Sequence, residues 1–310
     1  MSSALVLADR GAGLTTFVGL LYTAQVRLGI EEDDQFRFSA DRDSIRQLAS
    51  IYGALGDGRF PDADVDWELR PLSFLFGFRR GGLASLAHRD PVDDGAFDSV
   101  EVRIGGMPAA EVAELDRNDA VLEPGTRRLM RSQIVLPLVD ASWLTGAPGE
   151  IGGLPIARYD RILSSTLTLI GKFLTAERAR RARRLYLLFV VTKFDRAPPE
   201  TLELLRAPAA PPEAWTEAQR AAVGGSILAR YLPETDRLLR IRGRSSLSHD
   251  PPGWFFSGLR TEERDGETRI ARRERPPLGG WEPEYPYPEY RSLLLRVGDI
   301  AHRLPAEPEN

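Results

Sequence analysis

The sequence predicts an α/β protein, with a mostly parallel central sheet and helices on both faces. Three observations predict it. Strand-like and helix-like stretches alternate along the chain. Two strands, "RSQIVLPLVD" (131–140) and "RLYLLFVVTKFDR" (184–196), are continuous apolar runs, the pattern of strands buried on both faces. The first strand runs directly into a glycine-rich turn that opens a helix.

The elements follow in order. Residues 4–8 are an apolar strand, 9–13 a glycine turn and 14–28 a helix whose Phe17, Leu20, Leu21, Ala24 and Leu28 recur at helical spacing. An amphipathic helix follows from about 40 and stops at Gly56 or Gly58. Strands are expected at 66–78 and at 98–106, the latter with Val100, Val102 and Ile104 alternating. "MPAAEVAELDRND" begins a short helix with Pro near its first turn. After the buried run at 131–140 comes a Gly/Pro loop at 145–155, then a helix over 159–184. Beyond the second buried strand, "APPETLELLRAPAAPPEAW" is a proline-broken surface excursion and "TEAQRAAVGGSILARYL" a helix. "GWFFSGLR" (253–260) is the last core strand, Asp265-Gly266 turns a charged hairpin, and a helix over 289–304 closes the chain. No internal repeat is visible, so one domain over 1–310 is expected. Its insertions fall at about 36–64, 141–158 and 196–232, and a hairpin and loop occupy 260–288.

Composition removes several functions. The net charge of −4 offers no global basis for binding nucleic acid. No apolar run approaches the roughly 20 residues of a membrane span. The start "MSSALVLADRGAG" lacks the basic opening of a signal peptide, so a cytoplasmic protein is expected. Cys is absent and only three His are present, far apart, which argues against disulfides and zinc. Only Lys172 and Lys193 are lysines among 41 basic residues. That bias fits GC-rich codon usage better than heat adaptation, which enriches lysine.

The turn after the first strand has the outline of a phosphate-binding loop, G-x-x-x-x-G-K-S/T, aligned over Ala8, Asp9, Arg10, Gly11, Ala12, Gly13, Leu14, Thr15 and Thr16. Backbone amides and the helix N-terminus cradle phosphate in such a loop, and Gly11 and Gly13 permit its geometry. Leu14 stands where the lysine belongs, and Thr15 where a hydroxyl would meet Mg²⁺. Taken alone, this is equally an ordinary strand–turn–helix without a ligand. The second signal is Thr192-Lys193-Phe194-Asp195, at the end of the most apolar strand and containing one of the two lysines. It resembles the N/T-K-x-D guanine-reading motif of the P-loop GTPase family. The resemblance implies that Asp195 accepts hydrogen bonds from guanine N1–H and its 2-amino group. Lys193 would lay its stem over the base, and Thr192 would tie the motif to the phosphate loop. Ser257-Gly258-Leu259 is similar to the family's Ser-Ala-Lys, with the Gly258 amide placed to read guanine O6.

The resemblance implies a three-layer Ras-like fold over residues 3–30, 66–143, 159–196 and 250–300. The segment 40–58 with "GRFPDADVD" is also similar to the region before the effector strand in certain bacterial GTPases of conflict and signalling systems. The departures are as informative. The family's Asp-x-x-Gly is replaced by Gly105-Gly106-Met107-Pro108, the effector-loop Thr is missing, and no Gln follows the third strand. Asp140 is a rival metal ligand, though the family's next strand often ends in an Asp for structural reasons. Arg10 is a candidate substitute for the lost lysine. The lysine, metal carboxylate and switch threonine all serve the γ-phosphate or Mg²⁺. The chain is therefore expected to be a degenerate, GTPase-like adaptor with no catalytic residue of its own. GTP or GDP would be held weakly, Mg²⁺ poorly with Thr15 as its one ligand, and a protein would be the partner. Two rivals stand beside it: an active switch completed by Arg10 or a partner's residue, and an interaction module with an empty pocket. "RARRARR" (178–184) reads as a solvated helix end and "WEPEYPYPEY" (281–290) as a packed loop.

Overall fold

Side chains of β1 (Ser2–Ala8) alternate between two cores, and that alternation organises the molecule. Ala4, Val6 and Ala8 enter one apolar cluster, while Leu5 and Leu7 enter the other. The computed structural model describes residues 2–31, 36–39, 42–61, 72–79, 97–108, 130–145, 155–176, 184–241, 249–274 and 280–304. β2 (Phe36–Ser39), β3 (Leu72–Arg79), β4 (Phe97–Pro108), β5 (Ile134–Asp140), β6 (Tyr186–Thr192) and β7 (Gly253–Phe256) join β1 in one sheet. The order of the seven strands is β2-β3-β4-β1-β5-β6-β7. From β4 to β7 every pairing is parallel, whereas β3 runs antiparallel to both β2 and β4.

Helices α1 (Leu14–Glu31), α2 (Arg42–Gly56) and α7 (Tyr287–Arg303) cover one face. The other face is covered by α3 (Pro155–Ala176), α5 (Glu217–Tyr231) and α6 (Pro233–Arg240), with α4 (Pro199–Leu204) leading into them. Two two-stranded ladders stand outside the sheet. One is the hairpin of β8 (Thr261–Arg264) and β9 (Glu267–Ile270), and the other pairs β10 (Arg272–Glu274) with β11 (Trp281–Pro283). Among the described residues, no helix is long and apolar enough to cross a membrane.

Several expectations shift. The helix expected from Met107 does not start there, because Met107 and Pro108 continue β4 in register with Leu7 and Ala8. The rest of that stretch, the start of the 66–78 strand, most of "GRFPDADVD" and Arg178–Arg183 lie outside the described residues. The helix expected at 159 begins at Pro155, since Pro lacks the amide that the first helical turn leaves unpaired anyway. The excursion after β6 is less superficial than its prolines suggest, for Leu205 and Trp215 are buried in the second core.

Chain direction makes the crevice. β1 feeds α1 on one face, and its neighbour β5 leads to α3 on the other, so the C-terminal ends of β1 and β5 flank a topological switch point. Open α/β sheets bind their ligands at such a point.

Candidate binding site at the strand ends

The glycine turn after β1 is built from its own backbone. Gly11 and Gly13 both sit at φ +83°, a region side chains disfavour. The Ala12 amide donates to the Asp9 carbonyl at 3.1 Å, and the Arg10 amide donates to Asp9 Oδ1 at 2.9 Å. Two of the turn's donors are thus bonded internally. The first-turn amides of α1 have no intrahelical acceptor, and they carry the positive end of the helix dipole. Leu14 opens the helix fully buried. Its Cδ2 lies 3.2 Å from where a Cβ on Gly106 would stand, so the side chain turns under the end of β4.

The ends of β5 and β6 are bolted to this turn. Thr192 Oγ1 donates to the Ala12 carbonyl at 2.8 Å. Lys193 takes a left-handed backbone conformation, φ +51°, and its Nζ donates both to the Gly11 carbonyl and to Asp140 Oδ2, each at 2.6 Å. Asp140 is fully buried, and its Oδ1 accepts the Ser142 amide at 2.9 Å and the Ser142 hydroxyl at 2.6 Å. Both carboxylate oxygens are therefore occupied by donors. Of the two readings of Asp140, the geometry favours the structural one: it positions Lys193.

A second pair of loops meets at the end of β7. The Phe194 amide donates to the Ser257 carbonyl at 2.9 Å, and the Ser257 amide to the Val191 carbonyl at 2.8 Å. The Ser257 hydroxyl is paired with the Tyr290 hydroxyl at 2.6 Å and faces α7. Asp195 Oδ1 accepts the Leu259 amide at 3.1 Å. A Cβ on Gly258 would stand 2.7 Å from the same oxygen, so glycine is what lets the carboxylate lie against this backbone. Burial pushes the Asp195 carboxyl above the usual aspartate range, partly offset by the Leu259 amide and by Arg196.

These loops enclose a cavity of about 390 Å³. Of the residues singled out in the sequence, Gly13, Thr16, Thr192, Lys193, Asp195, Ser257 and Gly258 line it. Arg10, Gly11, Ala12, Leu14 and Thr15 belong to the turn but not to the lining. Sequence reasoning missed the apolar walls. Phe17 and Leu20 of α1, Leu259, Tyr290 and Phe60 form them, and the hairpin adds Thr261 and Thr268. Phe17 and Leu20 did carry a signal, the helical stripe, but it is indistinguishable from core. Phe60 follows α2 as a lone aromatic with no periodic signal, and the Arg196 guanidinium lies 6.0 Å from its ring centre. The chain matches no protein-family model, and no curated protein matches it.

The fit to the group the sequence implies is divided. At the base end a planar heterocycle would find apolar walls, one carboxylate and a neighbouring backbone amide. At the turn end, the fully buried Leu14 side chain packs against Gly106 and neither residue carries a charge, so these residues do not fit a triphosphate with Mg²⁺.

Proposed function

We propose that this chain is a guanine-nucleotide-binding adaptor on a degenerate P-loop GTPase fold, with little or no hydrolysis. The observation that carries the reading is the placement of Asp195 in the cavity wall, next to Gly258 and in a turn tied to the glycine loop through Thr192 and Lys193. The strand order supports it: β3-β4-β1-β5-β6-β7 matches the sheet order of a Ras-like GTPase, with β2 as an added edge strand.

In this reading the free lone pairs of the Asp195 carboxylate accept guanine N1–H and the 2-amino group, which adenine does not offer at that edge. The Gly258 amide meets O6. Lys193, held at its ammonium end by Gly11 and Asp140, presents its stem as part of the floor. A phosphate would rest on the first-turn amides of α1. No group on the described strand ends is set to activate water or to neutralise charge developing on a γ-phosphate, the two tasks hydrolysis requires. Output is then by binding a partner protein, in the cytoplasm.

Melting of the purified chain with guanine, adenine and xanthine nucleotides tests this. The wild type should be stabilised selectively by guanine, by about 2.7 kcal/mol at a hundredfold Kd. Asp195→Asn replaces an acceptor by an amide donor that pairs with the C2 carbonyl of xanthine, so selectivity should move from guanine to xanthine. The ionised carboxylate is the form that accepts. Guanine binding should therefore be full above the raised Asp195 value and fade as pH falls through it, starting at a higher pH than an ordinary aspartate near 3.9 would give. A wild type whose melting no nucleotide changes would sink the proposal and leave the empty interaction module.

A further inference from the structure

We infer that the cavity takes a guanine nucleoside carrying at most one phosphate, held without a metal ion. This rests on the guanine reading above and narrows its ligand.

Four features place the affinity at the base end. Leu14 is fully buried and packed against the Gly106 backbone, so the volume beside the end of β4 is filled by hydrocarbon. A second or third phosphate reaching that way would lose water and gain no cation, a net cost. Asp9 acts in the same sense. Its carboxylate sits at the root of the turn and takes the Arg10 amide, while its carbonyl takes the Ala12 amide. Two of the donors that would cradle a polyphosphate are thus spent.

The third feature is charge. Lys193 Nζ, which donates to the Gly11 carbonyl, is paired at 2.6 Å with the buried Asp140 carboxylate, which cancels its charge. The fourth is shape. The cavity is lined by Gly13, by Thr16, Phe17 and Leu20 of α1 and by Tyr290, and by none of residues 10–12. Its volume of about 390 Å³ is near the small end of ligand sites, roughly 300–1,000 Å³. A nucleoside fills such a space with its base between apolar walls. Its 5′ end would then reach the α1 amides at Thr15 and Thr16, which suit one phosphate.

Calorimetric titration of the full wild-type chain with guanosine, GMP, GDP, GTP and AMP, each with Mg²⁺ or with EDTA, tests the inference. Guanosine should bind, and GMP should bind up to about tenfold tighter. GDP and GTP should each bind more weakly than GMP, by about threefold or more, whether or not Mg²⁺ is present. GDP or GTP binding within about threefold of GMP or tighter, or any of them tightening by more than about threefold on adding Mg²⁺, would overturn it. If AMP binds as well as GMP, or no guanine compound binds, the guanine reading itself fails and the inference falls with it. The first failure leaves guanine selectivity intact and the second removes it, so the two are distinguishable.

Discussion

At the residue scale, Leu14 decides what the phosphate end of the proposed site can be. Its side chain is fully buried against Gly106, whose missing Cβ leaves the room for it. Leu14→Lys should therefore not restore a phosphate-binding lysine. An ammonium there would leave water for a fully buried apolar site, and the substitution should lower stability by roughly 2–4 kcal/mol. Leu14→Met, which conserves volume, should cost less than about 1.5 kcal/mol. Chemical denaturation of both variants gives the comparison, and a Leu14→Lys protein as stable as wild type that gained affinity for GTP would refute the account. Legibility at this scale follows the range of the contact. Asp195 and Lys193 were visible because three specified residues fall within four positions, and the scarcity of lysine marked the pattern. The Asp140–Lys193 pair was half visible, as a strand-end carboxylate with two readings. Phe60 was not, and neither was the Leu259 amide on Asp195, because the contact joins residues 64 apart in sequence and leaves no local trace.

At the scale of elements, α7 holds the loop after β7 in place. Glu289 in its first turn is 2% exposed, and its Oε2 accepts the Phe256 amide at 3.0 Å and pairs with Arg220 of α5. Arg220 also donates to the Pro212 carbonyl at 2.9 Å and the Trp215 carbonyl at 3.3 Å. Removing one member leaves the other charge and the Phe256 amide unpaired, so Glu289→Ala should destabilise by about 3–5 kcal/mol in denaturant melts. Burial raises the Glu289 carboxyl above its ordinary value. A raised carboxyl binds its proton more readily folded than unfolded. Its contribution is then full below the unfolded value near 4.3 and lost as pH rises through the folded one. Glu289→Gln should abolish that slope, measured as stability against pH. The elements most legible in the sequence were β1, β5 and β6, whose continuous apolar runs come from burial on both faces. β2, with four residues, is too short to show a period, and β10 and β11 sit in charged sequence where backbone pairing leaves no hydrophobic mark.

Across the whole molecule, the cavity joins two parts that the sheet does not connect. The α2 C-terminal turn brings Phe60, and the β8–β9 hairpin brings Thr261 and Thr268. They are clasped to each other: the Ile270 amide donates to the Gly58 carbonyl at 2.9 Å, and Arg272 reaches the Gly56 carbonyl at 3.3 Å. The hairpin in turn continues from the Gly258–Leu259 backbone that meets Asp195, with the Ala271 amide closing on the Arg260 carbonyl at 2.8 Å. A ligand in the proposed site would touch the Gly258–Leu259 loop, the hairpin and the α2 turn together, so opening any one of them would require its release. At a hundredfold Kd that linkage adds about 2.7 kcal/mol to such an opening, which slows exchange by up to about a hundredfold. Hydrogen exchange with GMP should show this slowing at the amides of Leu259, Ile270 and Ala271 and across 57–60, with Gly105 and Gly106 at the end of β4 unchanged. Protection at the end of β4 instead would move the ligand's contacts to the phosphate side. Binding without protection in the clasp would mean that the hairpin and the α2 turn do not wall the occupied site. In either case the surface that changes with occupancy, and hence the surface a partner could read, would have to lie elsewhere than on this clasp.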